Sequence, residues 1–554
     1  MILTSQTEYK SEILNNLAKI AQLKVISRTS VMQYRADTKR DVRQIGNALG
    51  VANVLEGTVR REGNHVRVTT ELVDASNDST VWADSYDRDL TDIFAIQSEV
   101  AQMIASKLTA TLSPEEKKRI EAKPTDNLEA YDLYLRATNL LTEAQVLFYI
   151  GNIEKPLRDA LKFLDQAVRL DSNFALAYSA ATNAHGLLYL LYDETLERRA
   201  LGDKAIATAL RLQPNLPEAH LAYAFFLYRT YGDYQRARVQ LNIARQSMPN
   251  SSVAIDLEAL LDRDAGNFEK AIQELRKSNE LDPRNPVPAS RLALTLSFTR
   301  QFPAAEKAFD RAIDLAPDQP MLKVQKALDF NFQRSADADA LRSAIAALPV
   351  SMANDRNMVN LRLILALIDR DWQHATELIQ QMNSSQDEGN FAYAGFPVPF
   401  SCYSILIARL QGNPPGGDPS LVEVREELNR TVNKVPARAI PPALSSLAVV
   451  DALLGKNEIA IAEAKRAVEM MPISKEALYG PNLLINLAVV YAWTGESDQA
   501  IETLTPLAKI PFGVSYGQLK LDPYWEPLRK DSRFDKLLAE LAPKELSPPR
   551  RDDR

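Results

Sequence analysis

Four prolines, Pro214, Pro249, Pro283 and Pro317, follow one another at intervals of 35, 34 and 34 residues, and each closes a similar run of small and large apolar residues. A fixed period of this length means one supersecondary unit repeated. Such a unit is a helical hairpin that cannot bury its own apolar face, so it stacks on its neighbours and builds a superhelix. The period therefore predicts a mainly α chain that is mostly binding surface.

Counting each proline as place 32 of a 34-residue frame aligns the units residue by residue. Phe225, Gly232, Ala237 and Ala244 precede Pro249; Ala259, Gly266, Ala271 and Ser278 precede Pro283; Ala293, Ala305, Phe309 and Ala312 precede Pro317. Later, Ala448, Gly455, Ala460 and Ala467 precede Pro472, and Ala488, Gly495 and Ala500 precede Pro511. Alanine recurs where two helices cross, because a larger side chain would push their axes beyond ~8 to 10 Å. Glycine takes the turn between helices at a positive φ, and proline cannot continue the preceding helix. The joint pattern resembles the tetratricopeptide repeat, which implies an α-α superhelical solenoid.

Weaker units flank these. Ala160, Leu164 and Ala167 fit a second helix ending at Leu170-Asp171-Ser172-Asn173, and the 42 residues from Asn173 to Pro214 place an insertion over Leu187 to Asp203. Between Pro349 and Pro441 the pattern blurs, although Asn360 to Met382 still reads as a hairpin around Asp369-Arg370-Asp371-Trp372. Gly395-Phe396-Pro397-Val398-Pro399 and Asn413-Pro414-Pro415-Gly416-Gly417 read as loops.

The first stretch of chain alternates apolar and polar residues instead. Val25 to Val31, Asn53 to Val59, Val66 to Val73 and Thr80 to Tyr86 are strand-like, with a hairpin turn at Arg61-Glu62-Gly63-Asn64. Helical spacing covers Glu8 to Gln22, Asp41 to Leu49 and Leu90 to Leu112, and Ser113-Pro114-Glu115-Glu116 caps a short charged helix. The expected organisation is a small α+β domain (1–112), a linker (113–126), a repeat array (127–350), degenerate helices and loops (351–440), carboxyl-terminal repeat units (441–540) and a polar tail (541–554).

Leu23 to Val31, Val54-Leu55-Glu56-Gly57-Thr58-Val59-Arg60, Trp82, and Tyr86-Asp87-Arg88 with Asp92-Ile93-Phe94-Ala95-Ile96-Gln97 resemble the TolB amino-terminal or FlgO-like domain. Leu519-Lys520-Leu521-Asp522-Pro523 and Arg529-Lys530-Asp531-Ser532-Arg533-Phe534 are similar to the tail of bacterial tetratricopeptide proteins that carry this domain. Members of that family usually begin the domain with one more apolar strand and often carry a kinase, a nucleotide cyclase or a winged-helix domain upstream. This chain starts in the helix that would follow the strand. The resemblance implies regulation in signal transduction, and it carries over no effector residue.

Apolar residues at 46% and charged residues at 25% are ordinary globular usage, and a net charge of -7 argues against a sequence-independent nucleic-acid surface. Cys402 is the single cysteine, which excludes an internal disulfide and fits a reducing compartment. No signal peptide is visible, and runs such as Gly186 to Tyr192 fall short of the ~20 residues a membrane span needs. A cytoplasmic location is expected; an extracytoplasmic one follows if the chain is part of a longer membrane-anchored protein.

His65, His185, His220 and His374 are scattered without a second ligand at metal spacing, no phosphate loop with a following lysine occurs, and Cys402 sits between apolar neighbours. No enzyme, cofactor or metal is expected. By the rule of tetratricopeptide arrays the first helix lines the groove, which presents Tyr223, Phe226 and Arg229, then Leu257, Leu260 and Arg263, then Arg291, Leu294 and Ser297. Aromatic anchors beside arginines suit a peptide of some acidic character. The bland alternative packs the aromatics on the next unit and pairs the arginines with Asp256, Asp262 and Asp264. Arg28, Glu56, Arg60 and Arg67 are charged groups near strands that suit a ligand site, while a watered sheet face would show the same charges, and Trp82 reads as the cover of the sheet. Two readings follow: a non-enzymatic scaffold recruiting a protein partner, or the regulatory part of a signalling protein whose effector lies elsewhere. Self-association is left open.

Overall fold

Alternating residues near the amino terminus pair, in a computed structural model of the chain, as an antiparallel meander of β1 (Asn53–Glu62), β2 (His65–Asp74) and β3 (Ser79–Asp89). Residues 13–543 are described, apart from 15, 27, 32–40, 64, 147–152, 354, 385–390, 394–395, 399–401, 416–418 and 433–436. They divide into two units: one runs to Leu261 and includes Lys270–Ala289, and the other comprises Asp262–Glu269 and the chain from Ser290.

In the first unit Val59, Val68 and Tyr86 stand opposite one another across the sheet and are buried, while their neighbours Arg60, Arg67 and Asp87 are exposed. That is the period of two expected of a half-buried sheet. Helix α1 (Val42–Leu49) is capped by Asp41, and the sheet is covered by α2 (Ile93–Lys107), whose Ile96, Val100 and Ala101 are wholly buried. Trp82 packs half-buried against this core. The helix expected to reach Leu112 stops at Lys107, because Thr109 adopts a left-handed φ of 57° and turns the chain. Helix α3 (Pro114–Glu121) begins with the expected capping box of Ser113 and Glu116.

The strand expected over Val25 to Val31 does not form. Among the described residues, 23–26 have no strand partner, and Arg28–Val31 is a helical turn whose Ser30 is engaged elsewhere. Of the helix expected over Glu8 to Gln22, residues 13–14 and 16–18 are helical, and residues 1–12 lie outside the described residues.

Helix pairs follow: α4 (Leu128–Val146) and α5 (Glu154–Leu170), α6 (Ala175–Leu191) and α7 (Leu196–Leu212), α8 (Pro217–Phe226) and α9 (Tyr234–Ser247), α10 (Ser252–Asp264) and α11 (Phe268–Leu281). Phe94 of α2 meets Tyr131 edge-on at 4.7 Å, and Tyr134 meets Phe174 at 5.1 Å, so one apolar core runs from beneath the sheet into the first pairs. The insertion expected near Leu187 to Asp203 is taken up by longer helices: α6 and α7 have 17 residues each, against 14 in α9. The 35-residue first interval is matched by a π turn, Leu227–Tyr231, that prolongs α8.

The second unit continues with α12 (Pro286–Phe298) and α13 (Phe302–Leu315), α14 (Pro320–Lys326, prolonged by a π turn Ala327–Phe332) and α15 (Ala338–Ala346), and α16 (Arg356–Asp369) and α17 (Trp372–Ser384). Then come α18 (Cys402–Leu410) and α19 (Pro419–Val432), α20 (Ile440–Leu453) and α21 (Asn457–Met470), α22 (Gly480–Thr494) and α23 (Ser497–Leu507), with α24 (Tyr516–Leu521) and α25 (Ser532–Leu541) at the end. The expected loop at Gly395 to Pro399 is instead strand at Phe396–Val398, paired with Phe391–Tyr393; alternating aromatics there favour extended pairing. Gly395 and Pro399 themselves lie outside the described residues.

The predicted crossing alanines Ala237, Ala244, Ala259, Ala271, Ala293, Ala305, Ala448, Ala460, Ala467, Ala488 and Ala500 are all 0% exposed. Gly232, Gly266, Gly455 and Gly495 hold the turns within pairs at positive φ. Arg300 and Arg370 take the same conformation without being glycine, at a cost of about 1 to 2 kcal/mol each. The chain is thus a mainly α tetratricopeptide-type solenoid with a small amino-terminal sheet.

Segments towards each end of the described residues run along helix turns of their own unit. In the first unit Asn250 donates to the carbonyls of Ala21 (3.0 Å) and Leu23 (3.2 Å). Ser30 Oγ donates to Asp282 Oδ1 (2.5 Å) and accepts from the Arg284 N–H (2.9 Å). In the second, the Ala477 N–H donates to the Asp264 carbonyl (2.9 Å), and the Phe512 ring stacks on Phe268 (5.5 Å) and Phe298 (4.6 Å). Arg300 donates to the Val514 carbonyl (3.1 Å), Ser515 Oγ to Gln333 Oε1 (2.5 Å), and Arg370 pairs with Glu526 (2.5 Å).

Candidate functional site

The nine first-helix residues singled out from the repeat frame divide between the units, with Tyr223, Phe226, Arg229, Leu257 and Leu260 in the first and Arg263, Arg291, Leu294 and Ser297 in the second. Tyr223 and Leu294 are half-buried, and the other seven are buried. Five of these burials have a visible cause. Phe226 is 1% exposed and fills the space above Gly202, where an added Cβ would lie 2.2 Å from its ring. Leu257 belongs to the apolar cluster of Phe225, Leu241 and Leu261. Ser297 donates to the Asp329 carbonyl (2.6 Å).

The arginines are committed within the chain. Arg229 donates to Asn183 (2.6 Å) and lies over the Phe225 ring at 4.4 Å, and Arg263 pairs with the wholly buried Asp264 (2.8 Å). The pairing with Asp264 is the bland reading of that arginine. Tyr223 keeps a different arrangement: its hydroxyl accepts from Arg236 (2.6 Å), an exposed residue of α9 that also lies over the ring at 5.9 Å. Nearby in the chain, Arg199 lies over Tyr231 at 4.8 Å, and the Tyr231 hydroxyl donates to Asp203 (2.6 Å). Burial, then Asp203, pushes the Tyr231 phenol up to about 12. Arg236 and Arg199 were missed because both lie on second helices, which the frame rule assigns to the outside.

Three further places concentrate polar groups. Between β3 and α2 lies a trough of about 780 Å³ bordered by Asp84, Asp87, Arg88, Glu99 and Met103. In the second unit a smaller cleft of about 180 Å³ is bordered by Arg370, Lys520, Glu526 and Arg529. Also there, Arg425 clasps the wholly buried Asp451 with two bonds (2.9 and 2.8 Å), and Lys456 stands 3.6 Å from the same carboxylate. Burial, then Asp451, pushes the neighbouring Glu463 carboxyl up to about 7.

The histidines occupy separate elements. His220 bridges Gln240 (2.7 Å) and the Pro214 carbonyl (2.8 Å), His65 faces Asp89 (3.4 Å), and His374 faces Glu377 (3.6 Å). His185 lies 3.2 Å from Arg198, and burial, then that guanidinium, lowers its pKa to about 4. Cys402 is a buried thiol. Of the four charged sheet residues, Arg60 and Arg67 are exposed, Arg67 donating to Asp87 (3.0 Å), Glu56 is half-buried, and the Arg28 side chain lies outside the described residues. Among the described residues no helix is long and apolar enough to cross a membrane.

No protein-family model matches the chain. A curated relative, "Putative adenylate cyclase 3" of Rhizobium meliloti (strain 1021), is 33% identical over 169 residues, which are 30% of this chain and 27% of that protein. The chain therefore spans about a quarter of that relative's length. Among solved structures, the type IV pilus biogenesis factor PilW is 16% identical over 42% of this chain and 99% of its own, with a TM-score of 0.32. PilF of Pseudomonas aeruginosa is 18% identical over 42% and 97%, with a TM-score of 0.28. The tetratricopeptide protein YrrB is 22% identical over 35% and 98%, with a TM-score of 0.23.

Proposed function

We propose that the chain is a non-enzymatic scaffold that recruits a protein partner through the first-helix face of its repeats. The observation that carries this reading is the succession of helix pairs held in step by fully buried alanines, which spends the apolar residues on stacking and leaves a long helical surface. Buried residues such as Phe226 and Arg263 shape that face from beneath. Direct contact falls to half-exposed groups, Tyr223 with Arg236 in the first unit and Leu294 in the second. A tyrosine beside an exposed guanidinium suits an extended or helical segment carrying carboxylates. A photoreactive phenylalanine analogue placed in turn at 223, 294, 239 and 459 tests this. Crosslinks to one partner at 223 and 294 are expected, with none at the outer positions Val239 and Ile459, which are 57% and 50% exposed. Equal labelling at all four sites rejects the reading.

A second reading is favoured by the cyclase-named relative: the chain is the regulatory part of a signalling protein, and its sheet is the TolB or FlgO-like module that the sequence resembles, with the residue boundaries expected above. The Leu55-Glu56-Gly57-Thr58-Val59-Arg60 segment supports it by forming the middle of β1. Co-expression with a cyclase, kinase or DNA-binding protein encoded beside it, followed by activity measured with and without this chain, tests that reading; no change in activity counts against it.

A further inference from the structure

The outer edge of β3 is built differently from the rest of the first unit. Among the described residues β3 pairs with β2 alone, so its other edge carries backbone donors and acceptors with no described strand beside them. Ten of its eleven residues are exposed or half-exposed, Tyr86 being the buried one; Ala83, Asp84 and Ser85 are consecutive and all exposed, which means that neither face of the strand is covered there. Sheets usually blunt such an edge with proline, lysine or a bulge. β3 contains no proline and no lysine, and its bulge, at Val81 opposite Leu72 and Val73, lies towards the amino-terminal end of the strand and leaves Trp82 to Asp89 paired without interruption.

Beside this edge runs the trough described above. Its far wall is one face of α2, since Glu99, Gln102, Met103 and Ser106 follow one another at helical spacing. The near wall is the strand from Asp84 to Arg88, which at ~3.3 Å per residue is long enough to align several residues of an added strand. Met103 is 38% exposed and offers an apolar contact to alternate side chains of such a strand.

The charge around the edge selects the occupant. Asp84, Asp87, Asp89 and Glu99 stand against Arg67 and Arg88, four carboxylates to two guanidinium groups. Arg88 is committed to Glu99 by two bonds (2.8 and 2.9 Å) and Arg67 to Asp87 (3.0 Å). Two copies of this edge pairing antiparallel with Asp84 opposite Asp87 would set carboxylates against carboxylates, and in the register that sets Asp84 opposite Arg88 the guanidinium is already held by Glu99, which disfavours a second copy of the chain.

We propose that the outer edge of β3, with the trough between it and α2, is a strand-addition site for an extended cationic segment of a partner protein. Main-chain hydrogen bonds supply affinity in this mode, and the flanking side chains supply selectivity. The site is separate from the first-helix face of the repeats, so either can fail alone.

The test uses the full chain and two fluorescein-labelled peptides, five Lys-Val repeats and five Glu-Val repeats, read by fluorescence anisotropy. The Lys-Val peptide is expected to bind at least about tenfold more tightly, and to slow hydrogen exchange within 79–89. Ser85→Pro, which removes an N–H now taken by the Asp84 carboxylate (2.8 Å), is expected to weaken binding by about tenfold. Asp84→Lys, at an exposed position, is expected to weaken it by roughly threefold or more and decides the matter if the proline variant fails to fold. Equal binding of the two peptides, indifference to both substitutions, or protection that arises elsewhere overturns the proposal. So does a dimer of the chain that Ser85→Pro abolishes, because it would assign the edge to a second copy.

Discussion

The amino-terminal segment of the first unit and the carboxyl-terminal segment of the second are both tied to helix turns, but by different chemistry. Asn250, Ser30 and Asp282 hold the first through hydrogen bonds, while the second adds to its own hydrogen bonds and ion pair a phenylalanine stacked on two others. Hydrogen bonds of this kind exchange protein for water and contribute roughly 1 kcal/mol each, whereas a buried aromatic contributes several. The contrast teaches that the polar ties set register and the ring stack sets stability.

The sharpest way to break the comparison is Phe512→Ala. Its ring is 7% exposed, and removing it leaves a cavity beside Phe268 and Phe298; denaturant unfolding is expected to show a loss of about 3 to 5 kcal/mol. Ser30→Ala should act less strongly. It strips a partner from Asp282 and from the Arg284 N–H inside a 0% exposed contact, and is expected to cost about 1 to 3 kcal/mol, with faster amide exchange at Arg284.

Acid should separate the units by sign. Glu463, raised to about 7, binds its proton more tightly in the folded unit than in the unfolded chain. Its contribution is present below the unfolded value of about 4.3 and fades as pH rises through about 7. Glu463→Gln is therefore expected to raise the melting temperature at pH 8 and to leave it nearly unchanged at pH 4. His185 runs the other way: lowered to about 4, it contributes above the unfolded value of about 6.5 and loses that contribution as pH falls through about 4. Substituting His185→Asn should flatten the acid limb of the first unit alone. The smallest effect belongs to Arg370→Gln, which removes a pair whose side chains are 46% and 44% exposed; a loss within about 1 kcal/mol that shrinks in salt is expected.

The solenoid was legible because its determinants are local. Ala237, Ala271 or Ala460 each mark a crossing between neighbours in the chain, and Gly266 or Gly495 a turn of four residues or fewer, so one period carries the message. Arg300 and Arg370 hid two further turns, since nothing in an arginine announces a left-handed backbone. The sheet was legible for the same reason, through the alternation of Val66, Val68 and Thr70. The failed strand near Val25 shows the limit: β-branched residues state a preference, and a partner strand decides. The candidate groove was the least legible part. The frame assigns Phe226 and Arg263 to the inner face, yet Gly202, distant in the chain, and Asp264, the partner offered by the bland alternative, take them into the interior.

The π turn at Leu227–Tyr231 bears on how such an array tolerates change. One surplus residue in an α-helix would swing everything after it by about 100° and put the wrong side chains at the next crossing. Widening a single turn swallows the surplus on the spot, so Gly232 still closes the hairpin and Ala237 still meets its neighbour. Length variation can thus be stored inside one helix without disturbing the beat of the helices downstream.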